Sequence, residues 1–256
     1  MTRTLNRWTR VYIDGYDLSG YSRSIGPLQS DYNAVDVTAD LGDNVRGYLC
    51  NTPAISPGTL NAIFDDTATV GIHAVMGTPA SRTLMTAIGM QAEPAEGDPV
   101  FVGQYHQLAM KVSDDNDAVV ATIPFAGWDA AALTNYSKAW GVLLHENSAE
   151  TAVNDQPGVD DYGAATAGGG YMMYQIFTSN AAGTVTIRVQ DAAVNNDGGF
   201  ADLAGATTTA IGHAAIPTAG IVALANNAAV RRYLRWQITL AGGMATVTFA
   251  LAFVRG

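Results

Sequence analysis

The chain has 256 residues, a net charge of −10 and only 14% charged side chains, with 11 Arg, two Lys (Lys111 and Lys138) and 42 Ala. This argues against binding through nucleic-acid phosphates, which needs clustered cations, though an acidic surface lets a polyanion pass without sticking. The single cysteine, Cys50, excludes an internal disulfide and argues against a Cys-based zinc site. A soluble protein usually carries ~25% charged residues, so this surface is either rich in Thr, Ser, Asn, Gln and Gly or covered by other copies.

The dominant pattern along the chain has period two, the signature of strands with one buried face. Trp8–Ile13 is the first predicted strand, and Val11–Leu18 reads as a hairpin turning at Asp14-Gly15, a pair suited to a type I′ turn. Ala34–Ala39 is the next strand. Ser56–Phe64 predicts the one helix, with Ser56 as N-cap and Pro57 at the first helical position. Strands are expected at Arg82–Gly89, Pro99–Val112 and Ala118–Phe125, with Asp114–Asp117 as a hairpin tip. The Ala-rich pieces Asp129–Leu133 and Ile221–Val230 have the composition of a helical turn, but Asn226-Asn227 weakens the second, and the flanking Thr, Val and Gly favour small residues on strands.

Alternation fades through Phe125–Tyr136, and a new strand, Ala139–His145, follows. The chain therefore divides into two mostly-β domains, residues 1–138 and 139–256, the second opening with that strand, which a Gly-, Asp- and Ala-rich linker at Asn154–Gly170 joins to the next. Its strands are Tyr171–Thr178, Thr184–Gln190, Arg232–Leu240 and Ala245–Val254, the last two joined by a hairpin at Ala241–Met244. Long loops between few strands predict a β-sandwich or jelly roll for this half.

No residue pattern carries catalysis or a cofactor. His145-Glu146-Asn147-Ser148-Ala149 begins like a zinc-protease motif, but position 149 is Ala and the segment leaves a strand. Gly20-Tyr21-Ser22-Arg23-Ser24 lacks the second Gly of a nucleophile elbow. Gly168–Gly170 has no following Lys-Ser/Thr for a phosphate loop. His73, His106, His145 and His213 share no motif with a nucleophile and read as surface or ordinary sheet positions. The acidic groups Asp114–Asp117, Asp155 with Asp160-Asp161, and Asp191 with Asn195–Gly198 lack a complete calcium-loop pattern and read as turns. Tyr171, Tyr174, Phe177, Tyr233 and Trp236 read as core in preference to a sugar platform. A sugar hydrolase needs a carboxylate pair in a cleft, and the only Glu residues are Glu93, Glu96, Glu146 and Glu150. The expectation is a protein that is not an enzyme and has no metal or cofactor. Met1–Trp8 contains no apolar signal region and Met244–Val254 is too short to span a bilayer, so a cytoplasmically made protein without membrane partners is expected.

Val11–Gly20, with Val45-Arg46-Gly47-Tyr48-Leu49 and Ser56–Phe64, resembles the major tail (tail tube) proteins of long-tailed bacteriophages. Arg232–Trp236 followed by Thr246–Arg255 is similar to the C-terminal β-domain of several phage structural proteins. The resemblance implies an N-terminal tail-tube-like β-sandwich or partial barrel with one short helix, and a C-terminal β-sandwich decorating the outside. It implies homohexameric rings stacked into a virion tail tube, bound to other tail proteins, through which DNA passes to the host without specific binding. Met1–Arg10 and Asp14–Ser24 are the expected ring-to-ring contacts. The competing expectation is a capsid decoration or a receptor- or glycan-binding virion protein.

Overall fold

The computed structural model describes residues 8–36, 48–128, 138–151, 159–160 and 165–256. Met1–Arg7, Val45–Gly47, Asp129–Leu133, Asp155 and Asp161 lie outside them, so the expectations placed there have no structural counterpart.

Strands β1 (Thr9–Ile13) and β2 (Tyr16–Asp17) form the expected hairpin, with Asp14 and Gly15 at φ of 53° and 85°, as a type I′ turn requires. β3 (Ser22–Gly26) leads into β4 (Gln29–Asp36) and β5 (Tyr48–Ser56), which pair only with each other among the described residues. The helix expected over Ser56–Phe64 does not form. Ser56 Oγ accepts the Gly58 N–H at 3.0 Å, so the residue expected to cap a helix closes a turn, and β6 (Thr59–Ile63) follows. Leu60 and Ala62 are buried while Thr59, Asn61 and Ile63 face out, a strand period. Gly58 takes φ +69°, and a Cβ there would lie 2.3 Å from the Gly26 carbonyl carbon. The only α-helix among the described residues is the five-residue α1 (Ile72–Met76), which turns Ile72, Val75 and Met76 inward.

β7 (Ser81–Ile88) and β8 (Pro99–Gln107) come next; the long strand expected over Pro99–Val112 stops at Gln107, and β9 (Lys111–Asp115) starts anew. β9 and β10 (Ala118–Trp128) meet at the expected hairpin tip, with Asn116 and Asp117 at positive φ. The later strands are β11 (Trp140–Glu150), β12 (Val159–Asp160), β13 (Gly170–Ser179), β14 (Thr184–Ala192), β15 (Ala201–Thr207), β16 (Ile211–Gly212), β17 (Thr218–Ala223), β18 (Tyr233–Ala241) and β19 (Val247–Arg255). Ile221–Ala223 thus belongs to a strand, its backbone groups paired with β13, as the flanking Thr, Val and Gly favour. The Ala241–Met244 turn also differs from expectation. β18 pairs with β14 and β12, whereas β19 lies between β11 and β13 in another sheet, so the turn carries the chain between two layers.

The fold is mostly β, with several antiparallel sheets, as expected. Its centre is one rolled sheet running β17–β13–β19–β11–β8–β7–β1–β2. It curls until the β1–β2 hairpin reaches β13 and β17. There Gln175 accepts the Gly15 N–H at 2.6 Å and donates to Thr83 O at 2.9 Å, and the Tyr12 and Phe177 rings meet edge to face at 5.1 Å. Inside the roll lie Tyr12, Met85, Val100, Val102, Leu143, Tyr171, Met173, Ala250, Ala252 and Val254. The small side chains on this inner face explain part of the alanine content, since a narrow barrel has little interior room.

The roll's outer face is covered twice. Val247, Phe249, Leu251 and Phe253 of β19, with Val142, Leu144, Met172 and Ile176, pack against the five-stranded sheet β12–β18–β14–β15 with β16 beside β14. On the other flank, Val11, Ile13, Leu84, Phe101 and Tyr105 pack against α1 and a second layer, β3–β6–β10–β9. The strong bend of β10 supplies that layer: its first part pairs with β6 and β9, and Phe125–Trp128 pairs with β8. Each half of the sequence therefore has its own outer core, and the rolled sheet draws strands from both. The Asp14-Gly15 tip, expected to contact a neighbouring ring, is instead spent inside the chain, seated on β13 and β17.

Candidate functional site

Two polar features stand out, one buried and one open. In the buried one, His145 on β11 is 1% exposed, with its ring stacked on Phe249 at 4.0 Å and edge-on to Trp236 at 4.5 Å. Nδ1 lies 2.9 Å from Phe249 O, which can only accept, so Nδ1 carries a proton. Nε2 lies 3.1 Å from Glu150 Oε1 and 3.3 Å from Ser148 Oγ. A serine, a histidine and a glutamate are thus in contact, but not as a relay. A nucleophilic triad places the serine on one ring nitrogen and the orienting carboxylate on the other; here both crowd Nε2, and the imidazole lies between two layers. The cluster ties β11 to β18 and β19. It continues to the 89–98 loop through Trp236, whose Nε1–H donates to Glu96 Oε1 at 2.8 Å.

Burial pushes the Glu96 carboxyl above its ordinary value, partly offset by the Trp236 hydrogen bond and increased by the nearby Glu146 charge. A raised folded-state value favours the protonated form: Glu96 adds stability in acid, and that contribution is lost as pH rises through its folded value. Glu96→Gln keeps an oxygen for Trp236 and removes the charge. It should therefore raise stability at pH 7 relative to the parent, with the difference shrinking toward pH 4. Urea melts at the two pH values measure this, and a variant less stable at pH 7 would refute it.

Among the described residues no group of three His, Cys, Asp or Glu is placed to hold a metal ion. Three aspartates of the C-terminal half hold arginines. Asp197 pairs with Arg235 at 2.6 Å, Asp191 accepts the Arg231 N–H at 2.8 Å, and Asp202 pairs with Arg188 at 3.1 Å. Hydrogen bonding from Gln190, aided by Arg188, holds the Asp202 carboxyl below its ordinary value. His213 meets Ser179 Oγ at 2.6 Å on the surface, His73 lies in α1 and His106 is exposed on β8. Tyr171 and Trp236 are buried, and burial pushes the Tyr171 hydroxyl well above its usual range; Phe177 packs on Tyr12. Tyr174 on β13 and Tyr233 on β18 are half-buried.

The open feature is the layer β3–β6–β10–β9. Its inner face buries Leu60, Ala62, Ala121 and Ile123. Its outer face carries a row of Ser24, Asn61, Thr122 and Lys111, one from each strand in register. Asn61 Nδ2 donates to Ser24 Oγ at 3.1 Å and Thr122 Oγ1 donates to Asn61 Oδ1 at 3.3 Å. Ile63, Val120 and Ser113 form the next row. A groove of about 480 Å³ runs along this face, and Arg23 pairs across it with Asp115 at 2.7 Å. Both outer strands are edges: among the described residues β3 pairs along its length only with β6, and β9 only with β10. All five residues of β9 are exposed, and Val112 (48%) and Val119 (43%) are left uncovered at that edge.

Sequence reasoning placed β9 and β10 but not the openness of their sheet, which depends on strand order. It also missed the His145 cluster, because Trp236 and Glu96 are 140 residues apart.

No family model matches the chain, and no curated protein matches it. Among solved structures, one similarity is to the SPP1 Dit protein, described as a paradigm of the hub adsorption apparatus in phages infecting Gram-positive bacteria. It has 13% identity and a TM-score of 0.32 over 94% of this chain and 98% of that one. At that score the similarity assigns this chain neither a fold family nor a role.

Proposed function

We propose that this chain is a non-enzymatic virion protein whose copies close into six-membered rings, the rings stacking into a phage tail tube that conducts DNA. The observation that carries this reading is the two-edged layer β3–β6–β10–β9. Its four strands alternate in direction. Placing β9 of one copy beside β3 of the next is therefore also antiparallel, and the pattern repeats around a ring. Such closure covers both edges, which strand pairing among the described residues leaves open and which otherwise invite aggregation, and head-to-tail contacts of this kind generate rings.

The face that would line the passage suits a polyanion. It presents short neutral polar groups, Ser24, Asn61, Thr122 and Ser113, with Lys111 at the β9 edge, and its Arg23 charge is matched by Asp115. With a net charge of −10 on each copy, the assembled wall would not retain phosphates. The His145 geometry supports the non-enzymatic part of the reading, because neither Ser148 nor Glu150 has the partner arrangement that catalysis requires.

Negative-stain electron microscopy of the purified protein over a concentration series tests the proposal, together with antibody labelling of virions. Stacked rings and a labelled tail shaft are expected. A monomer at every concentration with an unlabelled shaft would refute it, and label confined to the head or tail tip would move the chain to the decoration or receptor-binding class.

A further inference from the structure

Arg23 and Asp115 stand on opposite edges of one four-stranded layer. Within a chain two strands, β6 and β10, lie between theirs, and the 2.7 Å contact closes because the layer curls around the groove that the Arg23 side chain crosses. Arg23 sits at a register shift in β3, between Ser22 and Ser24, the kind of irregularity that re-aims a side chain. If β9 of one copy lies beside β3 of the next, the same two residues occupy neighbouring strands, ~4.8 Å apart. They also lie at matching ends. The Asp115 end of β9 and the Arg23 end of β3 are on the same side of the layer, as the register through β10 and β6 requires.

We infer that the Arg23–Asp115 pair is exchanged on assembly, closing within the free subunit and between neighbours in the ring, where it sets the register of the β9–β3 junction. This inference rests on the ring reading above. The exchange replaces one exposed ion pair with another, so its effect lies in specificity and alignment more than in gross affinity. Opposite charges directly across a strand junction favour one register, and like charges disfavour it.

Charge reversal in two separate chains distinguishes exchange from a pair that acts only within the subunit. Arg23→Glu leaves two acidic groups at every junction and Asp115→Arg leaves two basic ones. Each variant alone should raise the protein concentration needed for rings by on the order of tenfold, the like-charge penalty compounding around the ring. In an equimolar mixture the two variants can alternate, which makes every junction oppositely charged although the pair within each chain stays like-charged. The mixture should therefore form rings at the parental concentration, as should the double variant R23E/D115R. Both sites are exposed, and matching melting curves for all variants check that folding is intact. A mixture as defective as its components, beside a competent double variant, would confine the pair to the subunit and overturn the exchange while leaving the ring reading standing. Single variants that assemble like the parent would overturn it too. A parent chain that forms no rings would overturn both.

Discussion

Gln175→Leu should cost about 2–4 kcal/mol in a urea melt, a large share of the roughly 5–15 kcal/mol that holds a typical domain together. Gln175 is fully buried, and its amide joins two backbone groups from distant parts of the chain, the Gly15 N–H and the Thr83 carbonyl. Leucine fills much the same volume, so the loss comes from the orphaned Gly15 N–H, about 1–3 kcal/mol when buried, and from one of the two bonds to the Thr83 carbonyl, about 1 kcal/mol, since that oxygen still accepts the Asp14 N–H at 3.0 Å. The site cannot relax by letting the hairpin withdraw slightly, because Gly15 is already wedged against the backbone: a Cβ there would lie 2.3 Å from Thr218 N. Gly15→Ala attacks the same seam from the other side and should be at least as damaging. A change below about 1 kcal/mol for both variants would mean that the roll is not closed here.

Phe249→Ala should be comparably severe, at about 3–5 kcal/mol. Phe249 is fully buried in the core between the rolled sheet and the five-stranded sheet, and its ring covers one face of His145. Truncation opens a cavity and also removes the apolar cover from a polar cluster whose hydrogen bonds depend on exclusion of water. Phe249→Leu keeps most of that cover and should cost much less, about 1–1.5 kcal/mol. Equal losses for the two variants in urea melts would show that the ring's stacking on His145 matters and its volume does not.

What was legible in the sequence was local. Asp14-Gly15 and Asn116-Asp117 declare their turns because positive φ is a property of those residues. The alternation of Val247, Phe249, Leu251 and Phe253 declares a strand wherever that strand is placed. Ser56-Pro57-Gly58 failed because a serine that caps a helix and one that closes a turn have the same local signature. A contact with Gly26, far back in the chain, decides between them. Ala241–Met244 failed similarly: its glycines specify a reversal, but whether the flanking strands pair or face each other across a core is settled by β11, β13 and β14. The His145 cluster was invisible for the same reason, since Glu96, His145 and Trp236 converge only when three layers stack. The edges of the β3–β6–β10–β9 layer emerge only from strand order.

The position of β19 has a consequence for how the molecule is made. It lies between β11 and β13, yet it follows in sequence every other strand of the rolled sheet. During synthesis the earlier strands therefore emerge with an apolar gap where β19 will sit, and the Gly15 hairpin waits for a partner 160 residues later. Contacts of such long range slow folding, and unfinished sheets with open strands are prone to aggregate. A cell making many copies at once would need to shield these intermediates. Slowing translation or raising chaperone supply should therefore increase the soluble yield more than strengthening any single contact in the finished fold.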